Sequence, residues 1–130
     1  MGALDQAEAS RLLRNSLGVA AGTTPTQPIN GRLMTANGSA SAAGTQLTGG
    51  SYTPQSVTAG LGTEANGTVT TTSAVSYTGM PANTTVGMEL WDSAGTPLRK
   101  WWAALAASKT TGAGDTLSFA AGQITVAINN

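Results

Sequence analysis

All three tryptophans of the chain fall within Val86–Ala103, and two of them, Trp101 and Trp102, are adjacent. Neighbouring side chains of a strand point to opposite faces. A strand through this pair therefore turns one indole toward a core and the other away from it. Between Trp91 and Leu98 stands Asp92-Ser-Ala-Gly-Thr-Pro97, a turn sequence. The segment reads as a β-hairpin turning on Ala94-Gly95. In that register Trp91 opposes Leu98, Glu89 opposes Lys100, Met88 opposes Trp101 and Gly87 opposes Trp102. Val86, Met88, Leu90, Trp101, Ala103 and Leu105 form an inward face, with Arg99 the exception. Glu89, Trp91, Leu98, Lys100 and Trp102 form an outward face, a cross-strand charge pair set among aromatics. Wide apolar patches seldom stay uncovered on a monomer, and tryptophan is enriched at interface hot spots. The outward face is expected to be covered by the N-terminal helix or a loop of the same chain, or by another subunit. A platform for a sugar ring is a third reading, although the polar residues that would orient a sugar are not evident.

The rest of the chain after residue 28 repeats this vocabulary of short strands and turns. Candidate strands are Ile29–Thr35, Ser51–Thr58, Val69–Thr72, Ala74–Thr78, Thr84–Trp91, Leu98–Leu105, Thr116–Phe119 and Gln123–Ile128. Turn signals at close spacing predict an all-β fold, an antiparallel sandwich of jelly-roll type. Residues 36–50 and 59–68 read as long Gly- and Ala-containing loops. The core is expected to be thin. Leu, Val, Ile and Phe together number 21 of 130 residues, a low share that a neutral, patterned chain still folds with. Partner burial would add stability to such a domain.

Residues 4–17 predict one helix. Ala9, Leu13 and Leu17 recur at i+4, with Leu12 beside them. Asp5 and Glu8 precede Arg11 and Arg14, the order that suits the helix dipole, and Gly18 is a stop signal. The helix either packs on its own domain or acts as an arm that docks on a neighbouring subunit. Gly and Pro then mark 18–28 as a linker. The organisation is an arm over 1–28 and a sandwich over 29–130.

Chemistry is notable for what it lacks. There is no histidine and no cysteine, so nucleophile–base arrangements and thiolate metal sites are excluded. Glu89 and Asp92 would point to opposite faces of a strand, which does not suit a glycosidase pair. Asp115, after Gly112-Ala-Gly, suits an Asx-type bond to loop backbone. No loop offers an acidic cluster for calcium, and no P-loop is present. Six basic residues balance six acidic ones without a basic cluster, which disfavours nucleic-acid binding. No apolar run approaches the ~20 residues of a membrane span. The N-terminus carries Asp5 and Glu8 and lacks the basic start and apolar block of a secretory signal.

Four stretches resemble a family of small structural proteins of tailed bacteriophages, particularly those of actinobacterial hosts. They are Arg32-Leu-Met-Thr-Ala-Asn-Gly38, Gly44-Thr-Gln-Leu-Thr-Gly-Gly-Ser-Tyr52, Val86-Gly-Met-Glu-Leu-Trp-Asp-Ser-Ala-Gly-Thr-Pro97 and Ala107-Ser-Lys-Thr-Thr-Gly-Ala-Gly-Asp-Thr-Leu-Ser-Phe-Ala-Ala-Gly122. The N-terminal helix ending in Leu17-Gly18 is similar as well. Residues 59–72 are the least similar. Members are described as minor tail, tail-fibre, head-fibre or minor capsid proteins. The resemblance implies a non-enzymatic virion protein, assembled in the host cytoplasm, and carries over no catalytic residues or cofactors.

The expectation is a minor capsid or decoration protein that binds the head exterior and stabilises the shell. Its partners would be the major capsid protein and copies of itself, as a trimer or another cyclic oligomer, with no nucleic acid and no membrane insertion. The contact residues would be Trp91, Leu98, Trp102, Glu89 and Lys100 on the hairpin, with Leu13 and Leu17 on the helix. A tail-fibre or minor tail module touching the host surface is the alternative. A glycan-binding module is a third.

Overall fold

The structure, a computed structural model, describes residues 3–128. Its elements run β1 (Ala3–Leu4), α1 (Gln6–Ser16), β2 (Asn30–Ala36), β3 (Thr45–Gln46), β4 (Gln55–Ser56), β5 (Thr68–Thr70), β6 (Val75–Met80), β7 (Asn83–Trp91), β8 (Arg99–Thr111), β9 (Asp115–Phe119) and β10 (Thr125–Ala127). The fold is an all-β antiparallel sandwich with one N-terminal helix. The larger sheet has the order β1-β8-β7-β2-β3, with β4 also on β2. Facing it are two ribbons, β6–β9 and β5–β10. The pairs β7–β8, β6–β9 and β5–β10 nest inside one another along the chain, which is the wrapping of a jelly roll.

The core sits between these layers. Leu33, Met88 and Leu90 of the larger sheet meet Val75, Tyr77, Leu117, Phe119 and Ile124 of the ribbons, with half-buried Trp101, Leu105 and Val126 at the seam. Alternation builds it: Val75 and Tyr77 are buried while Ser76 and Thr78 are exposed, and Leu117 and Phe119 are buried while Thr116 and Ser118 are exposed. Ser76 and Ser118 then meet on the solvent side, hydroxyl to hydroxyl at 2.7 Å. Tyr77 is the hub. Its ring stacks on Tyr52 at 6.0 Å and meets Phe119 edge-on at 6.2 Å. Its hydroxyl donates to the Gly31 carbonyl at 3.0 Å, so the buried polar tip is satisfied.

Several boundaries differ from the sequence reading. The helix spans Gln6–Ser16, because Asp5 is its N-cap and accepts from the Ala7 N–H at 2.9 Å. Leu4 instead extends β1, whose Ala3 and Leu4 oppose Trp102 and Trp101. At the other end Gly18 takes φ +68°, a left-handed conformation that glycine adopts without penalty. The expected strand Ser51–Thr58 shrinks to Gln55–Ser56. Gly49 and Gly50 both take positive φ just before it, and Pro54 has no N–H for a ladder. The loop over 36–50 contains the short strand β3. β8 runs on to Thr111, since Leu105–Ser108 bow out opposite Val86 and pairing resumes at Lys109 with Thr85. A bulge of this kind breaks the period-two signal.

Candidate functional site

The hairpin does not close in the register read from sequence. The Asp92 N–H donates to the Leu98 carbonyl, and the Asp92 carboxylate accepts from the Leu98 N–H at 2.8 Å. These bonds tie the loop one step wider, so Trp91 opposes Arg99. Lys100 is then the extra residue of a bulge, because the next pair is Leu90 with Trp101. Beyond the bulge Glu89 opposes Trp102 and Met88 opposes Ala103. The displacement there is two residues, which preserves the faces. Trp101 still lies with Met88 and Leu90 on the core side, and Trp102 with Glu89 on the other.

The bulge gives Glu89 to Arg99 and sends Lys100 to other partners. Arg99 arrives on the outward face, where it pairs with Glu89 at 2.9 Å and Asp5 at 2.8 Å. It also donates to the carbonyls of Ser39, Ala40 and Ala42. The expected Glu89–Lys100 pair is therefore replaced by Glu89–Arg99. Lys100 reaches instead to Glu8 at 3.2 Å and Asp92 at 3.6 Å. Glu89 accepts further from the Gly44 N–H at 2.8 Å and the Trp91 Nε1–H at 3.0 Å. Glu8, Glu89, Asp92, Arg99 and Lys100 are each no more than 7% exposed. Charges so deeply placed require partners, and here they have them.

Helix α1 forms the lid of this cluster, with the opposite side to the one its leucines suggest. Glu8 faces the hairpin and is also held by Arg11, one turn on, at 2.6 Å. Leu13 and Leu17 remain 60% and 68% exposed. Of the two readings of the helix, it packs on its own domain, but through the ion pairs of Asp5 and Glu8 and not through Leu13 and Leu17. Burial works against the Glu8 carboxylate. Hydrogen bonds and charges from Arg11 and Lys100 together outweigh it and hold its pKa below the ordinary value.

The residues named from sequence thus divide. Glu89 and Lys100 are buried within the chain, so neither lies on its surface. Trp91 and Trp102 are half-buried. The Trp91 ring carries the Arg32 guanidinium 4.3 Å from its centroid, while the Trp102 Nε1 is buried without a hydrogen-bond partner. Leu98, Leu13 and Leu17 are exposed, and Val19, at 70%, joins the last two. Asp5, Glu8, Arg11, Asp92 and Arg99 were missed as site residues. A signal for them did exist: of six acidic and six basic residues, seven gather at this one place. Asp115 does make the expected loop bond, accepting from the Gly112 N–H at 2.7 Å.

Between helix and hairpin tip lies a cavity of about 280 Å³ walled by Trp91, Pro97 and Leu98 and by Asp5, Glu8, Arg11 and Lys100. A second, apolar cleft of about 160 Å³ lies at the sandwich seam, against Trp101, Leu105, Phe119 and Val126. Among the described residues no group of three His, Cys, Asp or Glu side chains is placed to hold a metal ion. No helix there is long and apolar enough to cross a membrane. The arrangement offers ion pairing and surface contact.

No curated protein sequence matches the chain. A family model described as podophage GP4 fiber I protein gp80 matches residues 4–127, from the tip of β1 to the end of β10. That match takes in the helix, the hairpin and both ribbons, so the chain belongs to the podophage GP4 fiber I protein gp80 family, a family of phage fibre structural proteins.

Proposed function

We propose that this protein is a non-enzymatic component of a tailed-phage fibre that works by surface complementarity with further copies of itself. The family match over nearly the whole chain carries the reading and favours the fibre over a decoration role on the head exterior. The surface agrees in kind. The charges of the hairpin are paired with one another and with the helix, while Leu13, Leu17 and Val19 present an apolar patch at the end of the helix. Burying such side chains in a partner contributes about 25 cal/mol per Å², and the patch costs the isolated chain solubility unless it is covered.

Gold-labelled antibody against the protein should decorate fibres on intact virions. Labelling confined to the head exterior would refute the fibre assignment. For the contact itself, a Leu13→Ser/Leu17→Ser variant should sediment as a smaller species than the parent while melting at nearly the same temperature. An unchanged sedimentation profile would remove the helix from the contact.

A further inference from the structure

We infer that the cavity between helix α1 and the hairpin tip is a binding site for a neutral pyranose sugar. The inference goes beyond the fibre reading and does not rest on it. The cavity of about 280 Å³ has an aromatic wall, Trp91, with Pro97 and Leu98 beside it. Indole rings pack well on the apolar face of a pyranose and keep a polar edge for anchoring. Trp91 is fixed in advance by the hydrogen bond from its Nε1–H to Glu89 and by Arg32 against its ring. A preformed wall lowers the cost of ordering on binding.

The opposite wall decides the class of ligand. Arg99 has no donor left, since its N–H groups go to Asp5, Glu89 and three carbonyls. Arg11 uses three of its five N–H groups on Glu8 and the Thr23 carbonyl. Lys100 keeps one N–H beyond Glu8 and Asp92. On the acceptor side, Asp5 Oδ1 takes only the Ala7 N–H, and Glu8 Oε1 takes only Arg11. The free capacity is thus mixed, donors from Arg11 and Lys100 beside acceptors on Asp5 and Glu8. Hydroxyl groups both donate and accept and match such a set. An anion would meet Asp5 and Glu8, and a cation would meet Arg11 and Lys100. A polyhydroxyl ring without charge satisfies both. Site size and the apolar-plus-polar lining suit one sugar unit.

The test is tryptophan fluorescence and saturation-transfer NMR on the full chain. Probes are neutral hexoses and N-acetylhexosamines, with glucuronate, sialic acid and inorganic phosphate as the charged arm. A neutral sugar should bind saturably and the charged set should not. Trp91→Ala should weaken binding about tenfold or more. Ala43→Trp, at an exposed loop position lining the same cavity, should abolish it without removing any polar group. Trp101→Phe, in the seam cleft, should leave it unchanged. Purified cell-envelope polysaccharide compared with the free monosaccharide tells whether the sugar is read within a polymer. Absence of saturable binding across the neutral panel overturns the inference. So does preference for the charged set, or binding that survives both Trp91→Ala and Ala43→Trp. Fibre labelling of virions is read separately and is unaffected by any of these results.

Discussion

Replacing Arg99 by methionine tests whether charge, and not apolar packing, holds the N-terminal arm. Methionine keeps much of the aliphatic stem and removes five N–H donors. Glu89, 1% exposed, would retain only the Gly44 N–H and Trp91 Nε1–H. Asp5 would retain the Ala7 N–H. The carbonyls of Ser39, Ala40 and Ala42 would lose a shared donor. Removing one member of a buried ion pair costs about 3–5 kcal/mol, because the partner stays buried and unpaired. A domain of this size is stable by roughly 5–15 kcal/mol, so at least about a fifth of the total is at stake. Tm should fall on the order of 10–20 °C. Arg99→Lys keeps the charge but not the planar fork, and an ammonium cannot serve both carboxylates and the carbonyls. It should cost at least ~2 kcal/mol. The assay is urea unfolding followed by far-UV circular dichroism and tryptophan fluorescence. A double variant with Glu89→Gln should recover part of the loss, with a coupling above ~1 kcal/mol. If Arg99→Met lies within about 0.5 kcal/mol of the parent, the latch is not electrostatic and the reasoning fails.

Three further outcomes follow from the same contacts. Glu8 has a folded pKa below its ordinary value of 4.5, so its contribution is present above that value and is lost as pH falls through the folded pKa. Tm should decline from about pH 5 downward, and Glu8→Gln should flatten that part of the profile; an unaltered profile would count against the Glu8 pairing. Tyr77 has a pKa raised by burial first and by Tyr52 second. The unfolded chain loses that proton near the ordinary value of 10.0, so stability should fall as pH rises beyond it, and Tyr77→Phe should shrink this alkaline limb, to which buried Tyr52 also contributes, and cost about 1 kcal/mol for the bond to Gly31. Gly87 lies under the Asn37 side chain, and a Cβ there would come 2.8 Å from the Ala103 carbonyl. Gly87→Ala should cost roughly 1–3 kcal/mol by chemical denaturation, whereas Gly95→Ala, facing open space, should be close to neutral.

Much of the sandwich is legible in the residues. β6 and β9 announce themselves by period-two burial, since only one face of each meets the opposite layer, whereas β7 is buried on both faces from Gly87 to Leu90. The inward placement of Trp101 and outward placement of Trp102 also survive, because a two-residue displacement leaves sidedness intact. β1 and β3 are two residues each, too short to carry a period. The outer half of β8, Ala106 to Thr110, is exposed on both parities and offers no alternation to read. The site was harder. Asp5, Glu8 and Arg11 show a capping and i,i+3 pattern, but nothing local says which hairpin residues they meet.

By itself, the sequence determined that this chain is a β-sandwich with a hairpin of tryptophans, without histidine or cysteine chemistry. Those conclusions rest on composition and on alternation, which are properties of neighbours along the chain. Only the tertiary structure decided that Arg99 and not Lys100 answers Glu89, and that the helix turns Glu8 inward and leaves Leu13 and Leu17 in solvent. A single extra residue in a bulge brings Arg99 beside Glu89 and sends Lys100 to Glu8 and Asp92. The energy that selects it comes from Asp5 and Glu8, more than 80 residues away. Buried charge has to find its partner wherever the fold brings one, and chain spacing does not encode that meeting.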